Sequence, residues 1–213
     1  VSKSSLLIVD YGLGNLFNIQ AAFESLGCSS VISGRPEDII KAERIIIPGV
    51  GSFADGMKGL QQRELAPAIK DATKKGTPIL GICLGMQLML TESEEWGSHQ
   101  GLDLLTGRVV PLKMPKVGDT YKIPHIGWNT LEITKSSKLF EKVSLNNSKE
   151  FFMYFLHSFY AKLQDQSAVA AETQYGSDRF CSSFQKDNLF GFQPHPERSG
   201  PNGLQIFQNF MKV

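Results

Sequence analysis

Along the first ninety residues, short unbroken apolar runs alternate with stretches whose apolar positions recur every three to four residues. The runs "SLLIVD", "SVIS", "RIIIPG" and "PILGI" predict strands, the first of them continuously apolar. Between the first two, the pair Gly12 and Gly14 opens a helix that puts Leu16, Ile19, Phe23 and Leu26 on one side and stops at Gly27. "EDIIKA" lies between the second and third runs, and "LAPAIKDATKKG" is a helix closed by Gly76. Strand and helix in alternation predict a parallel sheet covered on both faces.

Beyond residue ninety the alternation stops. "GRVVPL", "HIGWNTLEI", "FFMYFLHSF", "AVAAETQYG", "RFCSSFQ" and "LFGFQP" predict strands joined by short turns, antiparallel or mixed. A last helix, "GLQIFQNFMKV", has Leu204, Phe207, Phe210 and Met211 on one side. The expected class is therefore α/β: an open, mostly parallel sheet with helices on both faces and a strand-rich mixed C-terminal half. Sites in such sheets sit at the carboxyl ends of the strands. A single domain is expected over residues 1–213, because the polar stretches "MPKVGDTYK" and "EKVSLNNSKE" are too short to tether separate domains.

Composition acts mainly by exclusion. Lys plus Arg is 22 and Asp plus Glu is 21, so no charge surplus favours nucleic acid or an anionic membrane. The apolar run Leu6 to Val9 is too short for a signal-peptide core, and no later stretch is long enough to span a bilayer. Three well-separated cysteines, an odd number, argue against a disulfide framework and for a reducing, cytosolic setting. In that setting the sequon Asn146-Asn147-Ser148 has no meaning.

One corner changes the picture. In "TPILGICLGMQLML" a strand runs into a helix with no loop, and Cys83 sits at the join between Gly81 and Gly85. Gly-x-Cys-x-Gly there is the nucleophile-elbow pattern with sulfur in place of a hydroxyl. The helix that starts at the corner aims free N–H groups and a partial positive charge at the sulfur, a setting that favours thiolate, and Leu84 offers its N–H to an oxyanion. Cys28 and Cys181 lack this context and read as small buried hydrophobes. A thiolate nucleophile needs a proton carrier, and the histidines are His99, His125, His157 and His195. His195 stands out in "FGFQPHPERSG". Pro196 favours an extended conformation at His195, with Glu197 on the same side to orient the imidazole. "PGVGSF" offers a second strand end with backbone donors at Gly49, Val50 and Gly51. "DYGLGN" lacks the third glycine of a dinucleotide fingerprint, and no metal-ligand spacing is present; neither cofactor nor metal is expected.

"PGVGSF", "GICLGMQ" and "HPERSG", in that order, resemble the three landmarks of the class I (triad) glutamine amidotransferases, whose fold is flavodoxin-like. "DYGLGN", "PHIGWN", "YFLHSF" and "NGLQIFQNF" narrow the resemblance to the branch whose glutaminase feeds a separate cyclase subunit in histidine biosynthesis. The resemblance runs from Leu6 to Met211. It implies that Cys83 attacks the side-chain amide of glutamine, that His195 moves the protons and that Glu197 holds His195. It implies oxyanion N–H groups from Val50 and Leu84, and glutamine contacts from Gly49, Gly51, Gln87, Glu95 and the backbone near Ser158. It further implies a separate (β/α)₈ cyclase partner in a heterodimer, faced by Asn15, Trp128, Tyr154 and Arg198 around an ammonia passage, and a Val50 peptide that turns into the oxyanion hole when the partner holds its acceptor. Three positions depart from the family's usual residues: Pro194 stands where an aromatic is common, Arg198 where a lysine is common, and Phe159 where a tyrosine is frequent. The same residues also suit a paralogous glutaminase supplying a surface-polysaccharide precursor, a cysteine peptidase, or a silent assembly module.

Overall fold

The four apolar runs of the N-terminal half form neighbouring parallel strands in the computed structural model, which describes residues 6–143 and 150–213. The sequon, and most of the polar stretch that holds it, lie outside the described residues. In chain order the elements are β1 (Leu6–Val9), α1 (Leu16–Ser25), β2 (Val31–Ser33), α2 (Pro36–Lys41), β3 (Arg44–Ile47), α3 (Phe53–Gln62), α4 (Leu65–Lys74), β4 (Ile79–Ile82), α5 (Leu84–Leu88), β5 (Leu90–Ser93) and β6 (His99–Gln100). There follow β7 (Leu105–Pro111), β8 (His125–Ile133), β9 (Glu150–His157), β10 (Phe159–Leu163), β11 (Val169–Tyr175), β12 (Asp178–Lys186), β13 (Leu189–Phe192) and α6 (Gly200–Phe210).

The main path of the sheet runs β2-β1-β3-β4-β13-β12-β10-β7-β5-β6. Its first five strands are all parallel in the flavodoxin order, with β13 as fifth strand. From β12 onward the pairing is antiparallel apart from β5 with β7. β11 branches from β12 and leads to β8 and then β9.

Each residue of β1 is buried, because alternate side chains enter opposite layers. Leu7 and Val9 join Ile45, Ile47 and Ile79 under α2, α3 and α4. Leu6 and Ile8 join Ile46, Leu80 and Ile82 under α1 and α6, where the rings of Phe23 and Phe207 lie 4.5 Å apart. No described helix is long and apolar enough to cross a membrane.

Four local features differ from the sequence pattern. Helix α3 has no counterpart in the predicted elements, although Ser52 caps it by accepting from Asp55 N at 3.2 Å. Gly56 and Gly59 inside it lower the local helix propensity. The helix after Cys83 ends within five residues and turns into β5. "FFMYFLHSF" breaks at Ser158 into β9 and β10. On α6 the buried face is Gly203, Ile206, Phe207 and Phe210, while Leu204 and Met211 are half-buried.

Candidate active site

β4 and β13 pair in parallel with Ile82 opposite Phe192. The chain therefore leaves both strands at the same edge, and that register brings the two halves of the site together. Cys83 follows β4 at φ 52°, ψ −111°, a conformation that costs a non-glycine residue energy. Its N–H donates to Phe192 O at 2.7 Å and its carbonyl accepts from Gln87 N at 3.2 Å, so both neighbours hold the strained turn. The flanking glycines are needed for space. A Cβ on Gly81 would lie 2.6 Å from Met89 Sδ, and one on Gly85 would lie 1.8 Å from Ile47 O. Because α5 has only five residues, its dipole is weaker than that of a full-length helix. What it offers is the N–H of Leu84, which has no partner within the helix.

His195 is 2 % exposed and extended, at φ −102° and ψ 96°. Its Nδ1 lies 2.8 Å from Glu197 Oε1. Glu197 reaches it from a single 3₁₀ turn, Pro196–Arg198, rather than from an extended strand. Its side chain is 1 % exposed. Nε2 of His195 is buried with no hydrogen-bond partner among the described residues, and the Cys83 sulfur acts on its charge. The two groups neighbour each other without a formed S···N hydrogen bond. Burial works to keep the ring neutral, but Cys83 first and Glu197 second raise its pKa to about 10.

Gln193 was missed in the sequence. It is fully buried, donates through Nε2 to Cys83 Sγ at 3.6 Å, and accepts from Gln87 Nε2 at 3.1 Å. The parallel register is the signal that locates it, since it follows Phe192 as Cys83 follows Ile82. Pro194 sits between two anchored neighbours: Gln193 N donates to Ser182 O at 2.9 Å and His195 N to Tyr154 O at 2.8 Å. Its missing N–H thus leaves no gap in the pattern.

Cys83 opens on a cavity of about 680 Å³ that Val50, Gly51, Leu84, Gln87, Glu95 and Ser158 also line. Gly49 does not line it; a Cβ there would instead strike Leu84 and Gly85 N at 2.6 and 2.7 Å. The hydroxyl of buried Tyr11 donates to Pro48 O and anchors that strand end. Glu95 is partly engaged, its Oε2 accepting from Phe53 N at the start of α3, 2.5 Å away. Gln87 spends its amide hydrogens on Phe159 O, at 2.9 Å, and on Gln193.

Three of the four residues expected to face a partner are brought together. The Arg198 guanidinium lies 4.5 Å over the Tyr154 ring, and Trp128 meets the same ring edge-on at 6.3 Å. Asn15 is half-buried at the start of α1, where its carbonyl accepts from Ile19 N at 3.2 Å. Trp128 is 56 % exposed and Phe152, two residues along from Tyr154 on β9, is 60 % exposed, so this face is apolar and open. Of the other histidines, His99 is half-buried on β6, and His125 and His157 are buried against each other. Cys181 is a buried thiol donating to Ser183 O at 3.3 Å, its pKa pushed up by burial.

A strained cysteine with an uncommitted N–H on the next residue, an imidazole that its sulfur acts on and a carboxylate behind the imidazole is the set of parts for nucleophilic acyl transfer. The model of the family described as glutamine amidotransferase class-I matches residues 7–213. The chain is 44% identical, over 97% of its length and 97% of the relative's, to the imidazole glycerol phosphate synthase subunit HisH of Sulfurimonas denitrificans. It is 43% identical to that of Geobacillus thermodenitrificans, over 97% of this chain and 94% of the relative. Among solved structures, PurLQS from Thermotoga maritima superposes with a TM-score of 0.73 at 21% identity, over 97% of both chains. The glutaminase domain of Trypanosoma brucei CTPS with bound acivicin gives a TM-score of 0.66 at 18% identity, over 97% of this chain and 93% of that one. At such identities these two likenesses speak for the fold alone. The family match over nearly the whole length, together with the identities to the two HisH subunits, shows that the chain belongs to the class-I glutamine amidotransferases.

Proposed function

We propose that this chain is the glutaminase subunit of an imidazole glycerol phosphate synthase. It hydrolyses glutamine to glutamate and ammonia and passes the ammonia to a separate cyclase subunit. The observation that carries the chemistry is the placement of Cys83, on the wall of the cavity, and of the His195–Glu197 pair just beyond the ends of the adjacent parallel strands β4 and β13. The identities of 43–44% to HisH subunits carry the pathway.

In this reading Cys83 Sγ attacks the side-chain amide carbon of glutamine. The carbonyl oxygen becomes an oxyanion and is met by the N–H groups of Leu84 and Val50, an interaction worth about 3 kcal/mol per donor in comparable sites. His195 gives its proton to the departing ammonia, a role suited to a ring whose pKa stands at about 10. It then takes a proton from the water that cleaves the thioester, and glutamate leaves. Glu197 fixes the ring through Nδ1 throughout. Gly51, Gln87 and the backbone at Ser158 frame the substrate, and Glu95 keeps Oε1 for the substrate's ammonium group while Oε2 holds Phe53 N. Gly49 serves by close packing on Leu84 rather than by contact with glutamine. The apolar face of Trp128 and Tyr154, with Arg198 over the Tyr154 ring, suits the cyclase subunit, and Asn15 is assigned to the same interface from the start of α1.

The deciding assay is glutamate release by the chain alone, with the cyclase subunit, and with the cyclase plus its phosphorylated ligand. Release should rise at each addition. Peptide cleavage without a partner, or no glutamate from the full complex, would overturn the reading.

A further inference from the structure

The sequence motifs "PHIGWN" and "YFLHSF" each contain a histidine that the reaction above leaves unused. β8 and β9 place His125 opposite His157, and their rings meet with His125 Nδ1 3.0 Å from His157 Nε2. We propose that His157, steered by His125, positions the Ser158–Phe159 corner of the glutamine pocket. The inference rests on the glutaminase reading and assigns a further positioning residue to it.

The protons in this pair have only one arrangement. His157 Nδ1 lies 2.9 Å from Phe159 O, and a carbonyl can only accept, so Nδ1 carries the hydrogen. Burial holds the His157 ring neutral, its pKa pushed down to about 3, with the His125 ring and the charge on His195 acting in the same direction. Nε2 of His157 is therefore bare and accepts from His125 Nδ1–H. The bare Nε2 of His125 faces the Asn129 amide at 3.3 Å. That amide is oriented in turn, because its oxygen accepts from Thr130 N at 2.8 Å and its nitrogen donates to Gln174 O at 3.0 Å. Every donor points toward the next acceptor, and the chain ends on Phe159 O.

That carbonyl is a junction. It accepts from His157 on one side and from Gln87 Nε2, 2.9 Å away, on the other. Ser158 O accepts from Leu112 N at 2.9 Å, so both carbonyls of the corner are engaged. His157, Ser158 and Phe159 line the cavity that Cys83 opens on. The corner is also where β9 ends and β10 begins, a break that ladder bonds alone would leave loose. A fully satisfied buried network rigidifies what it touches. The His125 ring is further clamped between Tyr175 at 3.7 Å and Phe155 at 4.6 Å. Protonating His157 would set two N–H groups facing each other across the pair, and rotating its ring would release Phe159 O. Either change frees one side of the pocket wall while leaving every triad side chain in the sequence.

Two measurements test this. In the wild-type protein, ¹⁵N spectra near neutral pH should show His157 protonated on Nδ1 and bare on Nε2; the opposite tautomer or a charged ring overturns the proposal, whether or not any variant folds. In the complex with cyclase and its phosphorylated ligand, His157→Ala should raise KM for glutamine about tenfold, the value of one neutral hydrogen bond. Its kcat should change little, the pattern of lost uniform binding. His125→Leu should move KM in the same direction by less, and His157→Asn, whose amide nitrogen falls near Nδ1, should restore it. A merely destabilised protein would lose active fraction and hence kcat; a folded His157→Ala with unchanged KM refutes the assignment. Failure of the wild-type complex to release glutamate would strike the glutaminase reading instead, so the two failures are distinguishable.

Discussion

His195 and His157 invite comparison because their immediate settings are so alike. Both are buried, at 2 % and 6 % exposure, and both engage an oxygen through Nδ1, at 2.8 and 2.9 Å. Burial disfavours the charged ring in each. Yet one ring is driven up to about 10 and the other down to about 3. The oxygen partnering His195 belongs to a carboxylate, and a sulfur able to carry negative charge adjoins its other nitrogen. The oxygen partnering His157 belongs to a neutral peptide, and its other nitrogen faces a second imidazole. Depth of burial therefore does not decide the charge of a histidine here; the formal charge of its partners does. One site is built to hold and hand over a proton, the other to stay neutral and point.

The sharpest way to break the comparison is to remove the sulfur. Cys83→Ala should lower glutamine-dependent turnover by on the order of 10⁴-fold or more, while turnover of the complex with added ammonium salts persists. The His195 titration, followed by NMR, should fall in the same variant. Glutamate release that survives the substitution would remove Cys83 from the nucleophile's role. Glu197→Gln is the next step down, with an expected loss of about 10³- to 10⁴-fold in kcat, and the His195 pKa should again move toward that of His157. An unaltered kcat would mean that the carboxylate does not orient the ring.

The smallest effect is on stability, and its sign differs between the two sites. The folded pKa of His157 and His125 lies below the unfolded value near 6.5, at about 3 and about 4. The unfolded chain thus takes up protons that the folded chain refuses, and stability present above about pH 6.5 is lost as pH falls through about 4 for His125 and about 3 for His157. For His157 the loss is roughly 2–3 kcal/mol at about pH 4.5; His125, whose folded pKa stays closer to the unfolded value, adds less. The folded pKa of His195 is raised, so its contribution is complete below about 6.5 and disappears as pH climbs through about 10. Urea unfolding across this range should show both flanks. Replacing His125 and His157 together by leucine should flatten the acid flank alone, and an unchanged acid flank would mean that the pair does not titrate as described.

Much of this molecule was legible in local pattern. A strand running into a helix through Gly81, Cys83 and Gly85 is a statement about near neighbours, and close packing at those glycines follows from a turn only a few residues long. His195 and Glu197 are two apart, so their meeting needed no knowledge of the fold, although the turn that joins them is 3₁₀ rather than extended. The buried runs Leu6–Val9, Ile45–Ile47 and Ile79–Ile82 were legible for the same reason: a strand segment covered on both faces carries no charged or polar side chain. Helix α3 escaped notice because two glycines blurred its period, though Ser52 and Asp55 carried its start signal.

What the sequence determined by itself was the chemistry carried by neighbours along the chain: the elbow cysteine, the imidazole with its carboxylate, and the alternation that makes a parallel sheet. Only the tertiary structure decided which distant groups share a hydrogen bond. Gln193 reaches Cys83 across 110 positions, His125 meets His157 across 32, and Glu95 holds Phe53 across 42. Such pairs leave no periodic trace, because strand order and register, not local propensity, bring their atoms within reach. The charge state of a buried ring is set by those partners, and so it too had to wait for the fold.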